Sequence, residues 1–162
     1  DLVVFSGGSS VGTHDLVPKI VGEVGELTLH GLKAKPAGPT GIGFAAGRTV
    51  LLAPGYPVAS WAAWEFVGRA IIQKMLGQAL RWPHARTQVK LTAPISRRPG
   101  RTEIIRLSIH AASSGPALAT PLAGGAALLS TLTKADGFLL LPEGMGSIDT
   151  GDVQEALLFA TA

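Results

Sequence analysis

The sequence contains no cysteine. That excludes disulfides and thiolate metal sites, and it accords with a reducing, cytoplasmic setting. No apolar run is long enough to span a bilayer, and nothing has the shape of a secretory signal, so no membrane partner is expected. Aromatic residues make up only 6% of the chain and are not interleaved with its basic side chains, which argues against a nucleic-acid surface. The four histidines (His14, His30, His84 and His110) lie far apart and show no ligand spacing of the H-E-x-x-H kind. There is accordingly no zinc set and no nucleophile triad to read from the sequence.

What is present suits a globular chain that binds a small anion. With 162 residues, 46% of them apolar, the chain can bury a core as one domain or two small ones. Its formal net charge of +3 favours anionic small molecules. The basic residues are scattered except for Arg97, Arg98 and Arg101, which bracket Pro99-Gly100 and read as a solvated hairpin tip. Asp1 leads directly into a buried-type strand, as expected of a piece of a longer protein.

The first sixteen residues hold the clearest chemistry. Leu2-Val3-Val4-Phe5 is a short apolar run, followed by Ser6-Gly7-Gly8-Ser9-Ser10-Val11-Gly12 and then by Thr13-His14-Asp15. A buried strand, a glycine loop and a helix in that order place backbone N–H groups and a helix dipole toward one point, where an anion binds. The same order also makes a tight βα turn without a ligand. The spacing is not G-x-G-x-x-G, so no nicotinamide cofactor is implied. Asp15 reads as a helix N-cap, as a ligand for a hard cation such as Mg²⁺ beside phosphate, or as both.

Further along, Leu16, Val17, Ile20, Val21 and Val24 fall on one face of a helix that Gly25 ends. Glu26 to His30 alternates as a strand, and Gly43-Phe44 with Val50-Leu51-Leu52 flanks a hairpin turn at Gly47-Arg48. Between them, Lys33 to Gly41 is a rigid proline–glycine loop in which Lys35 can serve as a point charge for an oxyanion or as a solvated surface lysine. Ala53-Pro54-Gly55-Tyr56-Pro57 is a second rigid loop and precedes a long helix from about Val58 to Leu76, with Gly77 as its stop. Trp61, Trp64, Phe66, Val67, Ile71, Ile72 and Met75 are its core candidates. Gln78 to Arg86 reads as a linker. Beyond it, short strands at Gln88–Leu91, Ile104–Ile109, Ala117–Ala119, Phe138–Leu141 and Val153–Leu158 predict a small barrel or sandwich, with a helix within Gly124–Thr133. Asp136 reads as a turn residue, and Glu143 and Asp149 as loop-surface residues.

Three segments together resemble the MoeA-type molybdopterin molybdenumtransferases, the family that includes the gephyrin E domain. Ser6-Gly7-Gly8-Ser9-Ser10-Val11-Gly12-Thr13-His14-Asp15 is similar to S-G-G-x-S-x-G-x-x-D, Lys35-Pro36-Ala37-Gly38-Pro39 to K-P-G-K-P, and Pro54-Gly55-Tyr56-Pro57-Val58 to P-G-N-P-V. Ala135-Asp136-Gly137 and Leu141-Pro142-Glu143-Gly144 fit the family's last domain. The resemblance implies an α/β fold: residues 1–80 as a partial three-layer molybdopterin-binding domain, lacking its first half, and residues 81–162 as a small β-barrel-like C-terminal domain. It implies insertion of molybdate into adenylylated molybdopterin with release of AMP, using Mg²⁺, in a homodimeric full-length protein.

By position the resemblance assigns Ser6, Gly7, Gly8, Ser10, Gly12, Pro36, Pro54, Gly55 and Pro57 to ligand binding. It makes Asp15 catalytic and metal-binding and Lys35 catalytic. The chain departs from the family at Gly38 (second lysine of K-P-G-K-P), Tyr56 (asparagine of P-G-N-P) and Ala126 (serine of a G-S-G stretch). Those departures imply the alternative of a catalytically degenerate pterin sensor or scaffold module.

Overall fold

The computed structural model describes residues 1–10, 12–13 and 15–159; Val11 and His14 of the glycine segment lie outside the described residues. The chain divides into two compact units, Asp1–Arg81 and Trp82–Ala162.

The first unit is α/β. Strands β1 (Leu2–Ser6), β5 (Arg48–Ala53), β4 (Gly41–Ala45) and β2 (Gly25–His30) form a sheet in the order β1-β5-β4-β2. β1 and β5 run parallel, pairing Leu2 with Thr49 through Ser6 with Ala53. The β4–β5 and β2–β4 pairs are antiparallel, the second with a bulge between Leu27 and Leu29. The β4–β5 hairpin turns on Ala46 and Gly47, both with positive φ (49° and 72°), the geometry whose twist suits a two-residue loop. A two-residue β3 (Ala34–Lys35) lies in the proline–glycine loop.

Helix α1 (Val17–Val24) packs on β2 and β4, with Val21 against Val50 and Leu52. Leu51 and Ala53 alternate to the opposite face of β5 and are also buried. A helical run that begins at α2 (Pro57–Ala63) packs against β5, passes through a π-helical turn (Trp64–Gly68) and continues as α3 (Arg69–Met75). Val58, Ala59, Ala62, Ala63 and Val67 are its buried residues of apolar type. The ring of Trp64 lies over Gly68, where a Cβ would meet it at 2.3 Å. Glu65 is buried in the π turn and accepts two hydrogen bonds from the Arg69 guanidinium at 2.7 and 3.0 Å.

Two expectations change here. Asp15 is not the N-cap of α1; Leu16 holds that place and the helix has no side-chain cap. The predicted apolar face of α1 is only partly used, because Leu16, Ile20 and Val24 are 56%, 49% and 65% exposed. Only Pro18 and Val21 of α1 are buried, since the helix meets the sheet along one narrow line. The same holds for β1: it is an edge strand, and Val4 and Phe5 are exposed.

The second unit is a closed five-stranded barrel. Strands β6 (Arg86–Leu91), β7 (Thr102–His110), β8 (Ala117–Pro121), β9 (Gly137–Leu141) and β10 (Val153–Leu158) pair in the order β7-β8-β6-β10-β9, and β9 pairs back to β7. All these pairs are antiparallel except β6–β8. Val89, Leu91, Leu107, Ala119, Leu139, Leu141 and Ala156 fill the interior, closed at one end by Ile95 and Ile148. The predicted helix in Gly124–Thr133 contracts to α4 (Ser130–Thr133).

The arginine cluster is not a hairpin tip and is solvated only in part, at the exposed Arg98 and Arg101. β6 and β7 are not partners, and Arg97 is buried. Its guanidinium donates to the carbonyls of Pro142 (2.9 Å) and Arg101 (2.5 Å), adding to the Ile95–Ile148 bridge between the same two connections. Arg106 is buried as well, donating to Thr131 Oγ1 (3.2 Å) and the Gly124 carbonyl (2.9 Å). Desolvation holds its pKa below the ordinary arginine value.

Two substitutions check these contacts. A Cβ on Gly43 would lie 2.5 Å from the Glu26 carbonyl and 2.7 Å from Val21, so Gly43→Ala must push β2 and α1 apart. It is expected to cost roughly 1–3 kcal/mol, read as a lower urea midpoint. Arg97→Lys cannot reach both carbonyls with a fixed fork and is expected to cost about 1.5–3 kcal/mol by the same measurement. Unchanged midpoints would refute the packing described.

Candidate functional site

β1 and β5 are adjacent and parallel, so the segments that leave their carboxyl ends emerge side by side. This is the place where open α/β sheets bind ligands. The first segment is Gly7–Leu16, leading to α1; the second is Pro54–Tyr56, leading to α2.

Hydrogen bonds tie the first segment to the strand ends. The Ala53 carbonyl, at the end of β5, accepts from the Gly7 N–H (3.0 Å) and from the buried Ser9 hydroxyl (3.1 Å). His30, at the end of β2, donates from Nε2 to the Ser9 carbonyl at 2.6 Å. Gly7 and Gly8 both have positive φ (89° and 63°), which a side chain would strain. The segments also touch: a Cβ on Gly55 would stand 3.2 Å from Gly7 Cα. These glycines are therefore required by close approach of one backbone to the other and by the sharp exit from β1.

The two segments enclose a cleft of about 410 Å³ lined by Gly7, Gly8, Ser9, Ser10, Asp15, Pro39, Pro54, Gly55 and Tyr56. That volume suits a small organic ligand. Asp15 is the one carboxylate of the lining. Its Oδ2 accepts the Gly12 N–H at 3.1 Å, and its own N–H donates to the Gly12 carbonyl at 3.0 Å. The carboxylate thus closes the glycine loop on itself instead of capping the helix. Tyr56 sits at the N-cap of α2 in extended conformation, with its carbonyl accepting from Ser60 N–H (2.8 Å).

Of the residues expected at a site, Gly7, Gly8, Ser10, Asp15, Pro54 and Gly55 converge on this cleft. Ser6 ends β1, Gly12 is exposed behind Asp15, and Pro57 is the first residue of α2; none of them lines it. Lys35 and Pro36 belong to the β3 loop, joined by a cis peptide bond, and also lie outside the lining, Lys35 being exposed. Pro39, of the same loop, does reach the cleft. Ser9 and Tyr56 complete the lining. Ser9 was legible as a loop hydroxyl. His30 carried no local signal, because its role depends on β2 ending beside the loop. Among the described residues no group of three or more His, Cys, Asp or Glu could hold a metal. A single carboxylate with hydroxyls suits Mg²⁺ only when the cation also takes oxygens from a bound phosphate and from water.

An α/β unit with this cleft, followed by a closed barrel, is the architecture of a molybdopterin-binding domain joined to a further β domain. Residues 1–74 match the family described as "Probable molybdopterin binding domain", and residues 88–159 match "MoeA C-terminal region (domain IV)". The two matches, in this order, support a MoeA-type reading of the chain, which is similar to proteins of that type along both regions. It is 28% identical to molybdopterin molybdenumtransferase 1 of Mycobacterium tuberculosis, over 99% of this chain and 39% of that protein. It is 26% identical to the molybdopterin molybdenumtransferase of Bacillus subtilis, over 98% of this chain and 37% of that one. A solved MoeA structure from Pyrococcus horikoshii superposes with a TM-score of 0.76 at 27% identity, covering 99% of this chain and 38% of its own. The chain thus spans less than two-fifths of the length of these relatives.

Gly8 tests the loop geometry. Gly8→Ala places a side chain at φ 63° with its Cβ 3.1 Å from Val17. It is expected to destabilise the chain by about 1–2 kcal/mol in urea unfolding; an unchanged or raised stability would show that the loop takes another path.

Proposed function

We propose that this chain is the ligand-binding and C-terminal part of a molybdenum-cofactor biosynthesis enzyme that inserts molybdate into adenylylated molybdopterin and releases AMP. The observation that carries the reading is the cleft between the Gly7–Asp15 and Pro54–Tyr56 segments, at the carboxyl ends of two parallel strands. The names of the relatives, molybdopterin molybdenumtransferases, support the substrate class.

The chain's residues divide the work. Gly7, Gly8 and Gly55 leave backbone close to the ligand, so N–H groups and the Ser10 hydroxyl can take phosphate oxygens. Asp15 faces the same space, and two anions do not share it without a cation between them. Asp15 would hold Mg²⁺ against the bound phosphate; the ion supplies Lewis-acid stabilisation as the phosphoanhydride breaks. Lys35 contributes a positive charge from outside the lining. We assign residues 1–80 and 81–162 to the two functional domains, a homodimer to the full-length protein, and the cytoplasm as its location; no helix among the described residues is long and apolar enough to cross a membrane.

A second reading, a pterin sensor or scaffold without turnover, draws on the lack of a lining cation among the described residues together with Gly38, Tyr56 and Ala126 at family motif positions. One assay separates the two. The intact protein is expected to release AMP from adenylylated molybdopterin only when molybdate is present, and Asp15→Asn is expected to lower that rate about a hundredfold. A folded protein that binds molybdopterin in calorimetry but releases no AMP would establish the sensor; one that binds nothing would leave the scaffold.

A further inference from the structure

Tyr56 is an odd residue for the place it occupies. It is 63% exposed on the rim of the cleft, and its side chain makes no hydrogen bond or ring contact among the described residues. Its backbone, by contrast, is fixed. Pro57 restricts it to extended conformation, which it adopts at φ −75° and ψ 133°, and its carbonyl is held by Ser60. A tyrosine on a fixed backbone has two side-chain torsions to order, so it offers a large flat surface at small entropic cost. Around it the lining separates by chemistry: glycine backbone, Ser10 and Asp15 on the loop after β1, and the apolar rings of Pro39 and Pro54 with Tyr56.

Building on the function proposed above, we infer that Tyr56 is the specificity-determining residue of the cleft: its ring stacks on the planar nitrogen heterocycle of a ligand whose phosphate lies on the glycine loop. An asparagine, which the family motif has here, can read a ligand edge by hydrogen bonds. Tyrosine instead reads a flat face, because an aromatic ring binds a heterocycle by stacking with little dependence on its substituents. The chain therefore distinguishes heterocyclic phosphates from bare phosphate at this position. A pterin and an adenine share the chemistry, and the experiment tells them apart.

Tyr56 is the single tyrosine of the chain, so tyrosine labelled in the ring gives one NMR signal from this position in the 162-residue chain. Titration with AMP, with molybdopterin and with inorganic phosphate is expected to shift that signal upfield for whichever heterocycle stacks, and to leave it unmoved with phosphate. In calorimetry Tyr56→Ala is expected to weaken that same ligand by about 5- to 100-fold, Tyr56→Phe to keep its affinity, and neither to alter phosphate binding. A signal left unshifted by both saturating heterocycles, a Tyr56→Ala variant that binds like the parent, or a Tyr56→Phe variant as weak as Tyr56→Ala would overturn the stacking role while leaving the cleft a binding site. Failure of the parent to bind molybdopterin, AMP and phosphate alike would overturn both.

Discussion

The Ala53 carbonyl is the point on which the site depends. It lies at the end of β5, and it receives both the Gly7 N–H and the Ser9 hydroxyl from the segment that follows β1. A carbonyl oxygen has two lone pairs, and here both are spent on holding one loop against the strand end that begins the other. The parallel β1–β5 register brings the two exits level, at Ser6 and Ala53. The Gly7–Gly55 approach then sets their spacing, and His30 fixes the far side of Ser9. The cleft follows from these contacts, because loops pinned at their bases can only diverge above them.

The strands and loops were largely legible in the sequence. Alternation, turn residues and proline–glycine punctuation act within a few residues, and β5, β6, β7, β9 and β10 fall where those signals put them. Gly7, Gly8 and Gly55 were legible too, since a glycine cluster after an apolar run implies backbone crowding. What escaped depends on contacts between distant segments. Arg97 looks like a surface charge because its sequence neighbours are polar and turn-forming; it is buried because the carbonyls of Pro142 and Arg101 need a donor there. Pro39 and Tyr56 reach the cleft because their loops fold over it, which no periodicity encodes.

Helix α1 and strand β1 miss the expectation in a more instructive way. Both have apolar residues where a buried element would have them, yet Val4, Phe5, Leu16, Ile20 and Val24 are exposed. Periodicity reports how much apolar surface an element carries, not whether these 162 residues supply the layer that covers it. A strand that is apolar on both faces is written for the interior of a parallel sheet, and β1 occupies an edge. The expected burial of β1 and of this face of α1 is thus not met among the described residues.

The electrostatics of the cleft constrain what can occupy it more tightly than its shape does. Among the described residues the lining carries one carboxylate and no lysine or arginine. Backbone N–H groups alone can hold an oxyanion, but Asp15 opposes one across so small a space. The conflict is relieved in either of two ways: by a divalent cation shared between Asp15 and the ligand, or by a ligand that keeps its charge on the Gly7–Gly8 backbone and meets the rest of the wall with a neutral ring. In the proposed reading, Tyr56 and the two prolines would offer the surface for such a ring, and Asp15 and Ser10 the oxygens for such a cation. Under the function proposed above, a molecule that carries phosphate and a flat heterocycle together would use both walls. A bare anion satisfies one wall of the cleft and leaves the other without a role.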